Sequence, residues 1–307
     1  MTSLNGARVL VTGASGRIGP VAVAHLRAAG AQVTTLSIQE NPGLEAERVL
    51  LGDTRSQEDV RAALEGADFV VHLAALAHRD IAPPYDVYSV NVVSTFNVLA
   101  QAGAAGVGRA VVAGSINAYG LPMNRHDVTP AYFPLDTDIP VDIADWYSLS
   151  KHHGEGTARM AWRQWGIDVV TLRFPHVHDE HALMAQSKQL EADPRPGLRE
   201  AWSYLHTEDA ARAIVLALTA TTTGAHAFFL AANDTIAPYR TEAMLEAFAP
   251  AAPRLRRFVE REVPIDLTPA RSSSASRRTA ACPCRRSTSR PSSGDPHNGD
   301  PARSSDP

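Results

Sequence analysis

Cysteine is almost absent from this sequence, which has only Cys282 and Cys284 among its 307 residues. Two cysteines argue against a disulfide framework or a zinc site, so a reducing, cytoplasmic environment is expected. Long apolar runs are also missing, since none approaches the ~18 residues that a membrane span needs. The start, Met1–Asn5, is not basic and leads into no apolar segment of signal-peptide length. A net charge of −4 gives no case for nucleic acid or an anionic membrane as a partner.

Lysine is equally rare: only Lys151 and Lys188 occur, although Lys and Arg together number 29. Arginine is used where a plain positive charge suffices, so lysine at 151 indicates chemistry that needs a compact ammonium with an adjustable pKa. Tyr147 precedes Lys151 by four residues, which places both on one face of a helix. The two residues by themselves are equally consistent with an ordinary helix surface.

Short β-branched apolar runs alternate with helical segments along most of the chain. The expected strands are Ala7–Thr12, Gln32–Ile38, Arg48–Leu51, Phe69–Leu73, Arg109–Gly114, Asp168–Phe174 and His226–Leu230. The expected helices are one through Val21–Leu26 ended by Gly30, and Ser56–Leu64, Val87–Ala105, Tyr147–Trp165, His206–Thr219 and Thr241–Ala249. Alternation at this spacing predicts βαβ units and a parallel sheet. The predicted class is α/β, a Rossmann-like doubly wound parallel sheet with a small C-terminal substrate lobe.

A glycine-rich loop joins the first strand to the first helix. Gly13 permits a tight turn, Gly16 lets the backbone approach a pyrophosphate, and Gly19 allows close packing of helix on sheet. The N–H groups at the start of the helix and the helix dipole would then hold the phosphates. The position of this loop, after a strand and before a helix, makes it a strong indication of a dinucleotide site.

Two motifs, Thr12-Gly13-Ala14-Ser15-Gly16-Arg17-Ile18-Gly19 and Tyr147-x-x-x-Lys151, together resemble the extended short-chain dehydrogenases/reductases, the NAD-dependent epimerase/dehydratase family. Four further stretches fit that family in register: Gly52-Asp53, His72-Leu73-Ala74-Ala75, Val90-Asn91 and Ser115-x-x-x-Tyr119-Gly120. The resemblance runs from about Ala7 to Phe229. Six matching segments in order leave little room for an accidental tyrosine–lysine pair.

The resemblance implies NAD as the cofactor and does not exclude NADP. It places the pyrophosphate on the glycine loop, an adenine hydrogen bond on Asp53 and the adenosine wall on Leu73, Ala74 and Ala75. The whole implied cofactor set is Gly13, Ser15, Gly16, Arg17, Ile18, Gly19, Ser37, Asp53, Leu73, Ala74, Ala75, Tyr147, Lys151 and Pro175. The end of the second strand departs from the family, because Leu36–Gln39 lacks the acid that binds a ribose 2′-OH. Ser37 could donate to a 2′-OH or a 2′-phosphate, and no adjacent arginine marks NADP, so NAD is slightly favoured.

The resemblance also implies a catalytic set of Tyr147, Lys151, Ser115 and Asn91. Tyrosine, with a reference pKa of about 10, is a poor base at neutral pH unless a positive charge lowers that pKa, and Lys151 would supply the charge. Tyr147 would take a proton from a substrate hydroxyl while hydride leaves for the nicotinamide. Ser115 would bind the same substrate oxygen, and Asn91 would help to position Lys151. The implied substrate-binding residues are Ser115, Asn117, Tyr147 and His176.

Dehydration is disfavoured, because the family's dehydratases carry an Asp-Glu pair where this chain has Ile116-Asn117-Ala118. Arg173 and Val177 match the nucleotide-sugar enzymes, but His176 replaces their asparagine and the insert that follows is short. A small pocket is therefore expected, as in uronate dehydrogenases, for a sugar-like or other hydroxy/keto substrate. A nucleotide-sugar epimerase and a non-catalytic dinucleotide sensor remain alternatives.

His176-x-His178 would place two imidazoles on one face, yet hydride chemistry needs no metal and none is predicted.

Three segments are expected along the chain. Residues 1–174 and 204–235 form the dinucleotide-binding Rossmann domain, and residues 175–203 and 236–270 form the small substrate lobe. Residues 271–307 lack large apolar side chains and read as a disordered tail, which is interpreted as out-of-frame translation or, alternatively, a basic partner-binding arm. A homodimer through the long helices is expected, with Met160 and Trp162 as candidate contacts.

Overall fold

Seven parallel strands form the central sheet of the computed structural model, which describes residues 3–273. The strands of this part of the chain are β1 (Arg8–Thr12), β2 (Gln32–Ser37), β3 (Arg48–Leu51), β4 (Phe69–His72), β5 (Arg109–Ser115), β6 (Asp168–Phe174), β7 (His176–His178), β8 (Tyr204–His206) and β9 (Ala225–Phe229). The order across the sheet is β3-β2-β1-β4-β5-β6-β9. The chain moves outward from β1 to β3, then returns and continues from β4 in the other direction. Ligands of open parallel sheets bind beyond the carboxyl ends of the strands at such a switch point.

Helices cover both faces of the sheet. They are α1 (Gly19–Ala28), α2 (Gln57–Ala63), α3 (Pro84–Ala104), α4 (Trp146–Trp165), α5 (Glu180–Ala192), α6 (Thr207–Thr219), α7 (Thr241–Phe248) and α8 (Thr268–Ser272), with 3-10 helices at Ile116–Tyr119 and Arg195–Glu200. Helices α1 and α6 pack on one face, and α2, α3 and α4 pack on the other. Within residues 3–273 no helix has the length and apolar character needed to cross a bilayer.

The alternation of side chains in β1 shows why Val9, Leu10 and Val11 at its centre are all apolar. Val9 and Val11 join the apolar cluster on the α1 side, whereas Leu10 joins the cluster on the opposite side. Successive residues of a strand point to opposite faces, so a strand covered by helices on both faces needs apolar residues at every position. The predicted α/β doubly wound fold is confirmed.

A second, two-stranded parallel sheet pairs β7 with β8, and the sequence analysis missed both strands and α5. Strands of three residues are too short to show a period. Helix α5 buries only Leu183, Ser187 and Leu190, so its apolar stripe is narrow. Asp179 caps the N-terminus of this helix, because its side chain accepts a hydrogen bond of 2.9 Å from the backbone N–H of Ala182.

A separate apolar core lies outside the sheet, and part of it comes from the segment assigned to the Rossmann domain. Phe133 and Leu135 are fully buried there, together with Trp202 and Met244. Backbone N–H groups tie this segment to the C-terminal part, from Phe133 to Pro253 O at 2.9 Å and from Leu135 to Pro264 O at 2.9 Å. The loop before α4 therefore packs against the predicted substrate lobe. Its sequence gave no sign of this, because an irregular segment has no hydrophobic period.

The last described helix, α8, includes Arg271 and Ser272, the first two residues of the predicted tail. Ala270 of the same helix is buried against the main core. Residues 274–307, with Cys282 and Cys284, lie outside the described residues, and so does the prediction that they form a disordered or out-of-frame tail.

A buried ion pair attaches α4 to β6. Arg173 donates from Nε to Glu155 Oε1 at 2.7 Å and from Nη2 to Glu155 Oε2 at 2.9 Å, and both side chains are less than a tenth exposed. The guanidinium also lies 4.8 Å from the ring centroid of Phe229 on β9. The bidentate geometry fixes the helix in one position along the strand.

Replacing Glu155 with alanine is expected to destabilise the fold strongly, because Arg173 would keep a buried charge without a counter-ion. We expect a loss of about 3–5 kcal/mol in the free energy of unfolding, measured by chemical denaturation. The control is Glu45→Ala, which removes an exposed partner 2.8 Å from Arg27 and should change stability by less than about 1 kcal/mol. Equal effects of the two substitutions would contradict this role for the buried pair.

Candidate active site

The glycine loop lies between β1 and α1, at the switch point of the sheet. Gly13 has φ +70°, and a Cβ on it would lie 2.5 Å from the backbone nitrogen of Ala74. A Cβ on Gly19 would overlap the carbonyl oxygen of Ala14. Helix α1 begins without a side-chain cap at Ile18, so its first N–H groups are offered to a ligand. Two of the predicted glycines are thus required by close backbone packing, and the helix start fits an anionic group.

A cavity of about 300 Å³ opens on the β2 side of the loop. Ser37 accepts a hydrogen bond of 3.2 Å from the backbone N–H of Ser15, and the Ser15 hydroxyl donates to Gln39 O at 2.8 Å. The opposite wall contains Leu73, Ala74 and Ala75. The structure therefore brings the predicted adenosine-side residues together around one space.

Asp53 also lines this cavity, but its carboxylate is already occupied. Arg55 donates to it from the backbone N–H at 2.8 Å, from Nε at 2.9 and 3.1 Å, and from Nη2 at 2.5 Å. These bonds hold the pKa of the Asp53 carboxyl below its usual value. The predicted adenine contact of Asp53 stays a prediction, and the adenine amino group would bind there beside Arg55. No arginine is adjacent to Ser37 in sequence, but the fold brings Arg55 to the same cavity.

A larger cavity of about 770 Å³ continues from the first, and the two share lining residues of the glycine loop. Its predicted lining residues are Gly13, Gly16, Arg17, Ile18, Gly19, Leu73, Ala75, Ser115, Asn117, Tyr147, Lys151, Pro175 and His176. Its walls come from the ends of β5 and β6 and the start of α4. The predicted catalytic and cofactor residues thus meet along one edge of the sheet, apart from Asn91.

Helix α4 aims the tyrosine and lysine at this cavity. Asp145 caps the helix by accepting a hydrogen bond of 2.9 Å from the Ser148 N–H. Lys151 donates from Nζ to Ala113 O at 2.9 Å, and that nitrogen lies 5.8 Å from the Tyr147 ring centroid. The two side chains therefore share the inner face of the helix, as their spacing predicts.

Burial, not the lysine, dominates the acidity of the tyrosine. Burial raises the pKa of Tyr147 to about 12, and its hydrogen bond with Ser115 opposes the rise. Burial also lowers the pKa of Lys151 to about 8. The expected lowering of the tyrosine pKa by Lys151 is not seen, because burial of the phenolate outweighs the hydrogen bond with Ser115, which is the one influence that lowers this pKa.

Asn91 stands one layer behind the cavity. It accepts from the Leu76 N–H at 2.8 Å and donates to Leu76 O at 3.1 Å and to the Ser150 hydroxyl at 3.0 Å. No hydrogen bond joins Asn91 to Lys151 within the described residues, so the help in positioning that lysine, which stays a prediction, would act through the neighbouring Ser150. Asn91 instead connects the loop after β4 to the residue before Lys151.

Ser115 ends β5 and begins the 3-10 helix at Ile116–Tyr119. Its hydroxyl accepts from the Asn117 backbone N–H and from Asn117 Nδ2, both at 3.1 Å. The Asn117 side chain is buried, and its Oδ1 has no hydrogen-bond partner among residues 3–273. An acceptor buried beside the tyrosine and left without a donor is unusual in folded proteins and indicates a ligand position.

The histidine pair lies on β7 at the cavity wall. The rings of His176 and His178 are 4.4 Å apart between centroids. Burial, with the charges of His178 and Arg17, lowers the pKa of His176 to about 4. No group of three His, Cys, Asp or Glu side chains within residues 3–273 could hold a metal ion.

Three charged residues that line these cavities were not predicted from the sequence: Arg55, Asp80 and Glu200. Arg55 had a local signal, since an aspartate two residues before it favours a side chain–backbone turn. Glu200 had none, because it lies in a segment without strand or helix periodicity and only folding brings it to the cavity.

A glycine loop at the switch point of a doubly wound sheet, continuous with a tyrosine–lysine cavity, defines a Rossmann-type dinucleotide-binding protein. The model of the NAD dependent epimerase/dehydratase family matches residues 9–231. The chain belongs to that family, which confirms the resemblance seen in its motifs and NAD as its cofactor.

Individual relatives are similar over parts of the chain. The chain is 36% identical over 176 residues to the L-arabinose 1-dehydrogenase (NAD(P)(+)) of Haloferax volcanii. The matched region covers 55% of this chain and 66% of that enzyme, which is just under two thirds of the enzyme's length. It is 25% identical over 251 residues to the UDP-glucose 4-epimerase of Corynebacterium glutamicum, covering 72% and 74%. A short-chain dehydrogenase/reductase superfamily protein of Agrobacterium tumefaciens, solved with bound NAD, has a TM-score of 0.67 at 21% identity over 90% of this chain and 93% of that one. The structural likeness at this identity shows the fold.

Replacing Gly13 with alanine is expected to weaken NAD binding by at least about 100-fold, because the new methyl group would displace Ala74 and the loop. The matched control is Gly6→Ala, where φ is +76° and nothing lies within 4 Å of the added Cβ. Both substitutions carry a similar left-handed backbone cost of about 1–2 kcal/mol. Titration with NAD separates the two effects, and equal affinities in both variants would contradict the role of the close approach.

Proposed function

We propose that this protein is an NAD(P)-dependent oxidoreductase that moves a hydride between nicotinamide and a hydroxyl or carbonyl carbon of a small sugar-like or hydroxy/keto substrate. The observation that carries the proposal is the grouping of Tyr147, Lys151 and Ser115 in a cavity continuous with the glycine loop. The substrate lobe, residues 175–203 and 236–270, supplies the wall with Pro175 and His176 and so completes this cavity.

The residues present fit a bound dinucleotide. The uncapped start of α1 and the glycine loop would hold the pyrophosphate, and the cavity between Ser37 and Leu73 would hold the adenosine. Arg55 is the cation in that cavity, but Asp53 already neutralises it. A 2′-phosphate would have to compete with this carboxylate, which favours NAD over NADP.

Tyr147 is proposed as the acid–base residue. NAD, when bound, supplies the hydride acceptor and a positive charge near the tyrosine. The Tyr147 phenolate takes the proton of the substrate hydroxyl as the C–H bond on the same carbon breaks and the carbonyl forms. In the reverse direction Tyr147 returns that proton to the carbonyl oxygen. Ser115, hydrogen-bonded with Tyr147, would hold the substrate oxygen, and Lys151 is fixed close by through Ala113 O.

A nucleotide-sugar epimerase is the second candidate, favoured by the match to an epimerase over most of this chain. The cations lining the large cavity argue against a nucleotide-sugar substrate. Apart from histidines they are Arg17, which donates to Val177 O at 3.2 Å, and Lys151, which donates to Ala113 O. A substrate diphosphate would need further cations to balance its charge. The intact tyrosine–lysine pair argues against a non-catalytic sensor.

The substitution Tyr147→Phe tests the mechanism, because it removes the hydroxyl and keeps the ring. We expect the rate of NADH formation at 340 nm, on a panel of aldoses and hydroxy acids, to fall by about 1,000-fold. The affinity for NAD should stay within about threefold of the wild type, since the phenol lies on the substrate side.

Near-normal turnover in this variant would overturn the mechanism. An epimerase would instead purify with bound NAD and interconvert sugars without a net change at 340 nm. A sensor would bind NAD and do neither.

We propose a homodimer formed through α3 and α4. Besides the predicted Trp162, which is 44% exposed, the neighbouring helix α3 exposes Val93 at 44% and Phe96 at 51%, while Met160 is half-buried. Large apolar side chains on two adjacent helices are typical of surfaces that another subunit covers.

The substitution Phe96→Glu should convert the dimer to a monomer in light scattering at micromolar concentration, because it would bury an unpaired charge in the interface. The control is Leu255→Glu, an exposed leucine of the other lobe, which should leave the mass unchanged. A wild-type protein that is monomeric under these conditions would contradict the proposal.

A further inference from the structure

Glu200 is a carboxylate in the wall of the large cavity, which also contains Tyr147, Ser115 and Asn117. It is half-buried, and burial raises the pKa of its carboxyl to about 7. Among residues 3–273 no side chain or backbone group makes a hydrogen bond or ion pair with this carboxylate. Its oxygens face the cavity without a protein donor, so they are available to the hydrogen-bond donors of a ligand.

The backbone that carries Glu200 is held firmly. Its carbonyl accepts from the Ser203 N–H at 3.0 Å and from the Ser203 hydroxyl at 2.6 Å. Just before it, the carbonyl of Arg199 accepts a hydrogen bond from the buried Tyr119 hydroxyl. Just after it, Ala201 and Trp202 have φ values of +54° and +49°. Left-handed backbone at two successive residues other than glycine is uncommon, and it persists only where the surroundings enforce it.

The carboxylate acts on the catalytic tyrosine from across the cavity. Glu200 is one of the charges that raise the pKa of Tyr147, so the two groups lie within electrostatic reach of each other. The other unpaired acceptor of the cavity is Asn117 Oδ1. The orientation of that amide follows from the bond of its Nδ2 to Ser115. Two side chains with acceptors that lack donors, in the same cavity as the tyrosine, match a ligand with several hydroxyl groups.

The described cations that line the cavity make no ion pair with Glu200. Arg17 is bonded to Val177 O, and Lys151 to Ala113 O. Burial and the charge of Arg17 lower the pKa of both His176 and His178, which disfavours their charged forms. A carboxylate or phosphate group placed beside Glu200 would therefore face an acid whose charge no described residue pairs with, and the two like charges would repel.

We infer that Glu200 is the specificity-determining residue of this site, accepting hydrogen bonds from substrate hydroxyls together with Asn117 Oδ1 and so selecting a neutral polyhydroxy substrate over an acidic one. This inference rests on the proposed oxidoreductase function. It assigns the substrate to the class of free aldoses and related polyols, and it excludes uronic acids and sugar phosphates.

The test compares sugars that differ only at C6, where the aldose has a hydroxymethyl group and its uronic acid a carboxylate: D-galactose with D-galacturonic acid, and D-glucose with D-glucuronic acid. We expect the wild type to favour at least one aldose over its uronic acid by about 100-fold in kcat/KM. Glu200→Gln keeps one acceptor and removes the charge, so this ratio should fall below about 10. Glu200→Leu removes both acceptors and should lower kcat/KM for the aldose by about 100-fold, mainly through KM. The control Glu191→Gln, an exposed glutamate of the same lobe, should keep the wild-type ratio.

A wild-type preference for the uronic acids would overturn the inference, and so would an unchanged ratio in Glu200→Gln. If no sugar is oxidised, the proposed reaction fails, and the role of Glu200 is decided by calorimetry on the NAD-loaded protein. Tighter binding of an aldose than of its uronic acid, with the difference lost in Glu200→Gln, would support the role. Equal binding, or no binding of either sugar, would overturn it.

Discussion

The buried pair of Glu155 and Arg173 is the interaction on which the geometry of the site depends. Tyr147, Lys151 and Glu155 follow one another at intervals of four, so they share one face of α4. Arg173 belongs to β6 and lies in register with Gly114 of β5. The ion pair therefore sets the helix along the two strands whose ends form the cavity. A displacement of α4 by part of a turn would move both the phenol and the ammonium away from Ser115.

Burial shapes the chemistry of the cavity as strongly as the identity of its residues. The same exclusion of water moves the pKa of Tyr147 upward, that of Lys151 downward and that of Glu200 upward. All three shifts disfavour charge, as expected of groups taken out of water without full compensation. The protonation of these three groups therefore depends on the charge and the hydrogen-bond donors that a bound cofactor and substrate supply. This explains why unpaired acceptors can persist beside a buried tyrosine.

The strands of the main sheet and the glycine loop were predictable because the apolar strand pattern and the glycine motif are both local in sequence. Two strands have the bounds predicted for them, Arg48–Leu51 and Asp168–Phe174. The second is a run rich in β-branched residues that follows a helix, and such a run favours a strand over other structures. The glycine loop was predictable because close backbone approach accepts no side chain. The three-residue strands β7 and β8 and the packing of Phe133 were not predictable, because their contacts come from residues far away in sequence.

The site shows the same division. Tyr147 and Lys151 were predicted to lie together from their spacing, because a helix places residues four apart on one face, and Ser115 was predicted from the family resemblance. The ion pair that occupies Asp53 and the hydrogen bonds of Asn91 depended on where the chain folds. The pKa of Tyr147 and the position of Glu200 in the same cavity also depended on how the chain folds. The sequence by itself determined the fold, the family and the candidate residues for proton transfer. Only the tertiary structure decided the electrostatics around them, because desolvation and unpaired acceptors are properties of an enclosed space, to which distant segments contribute.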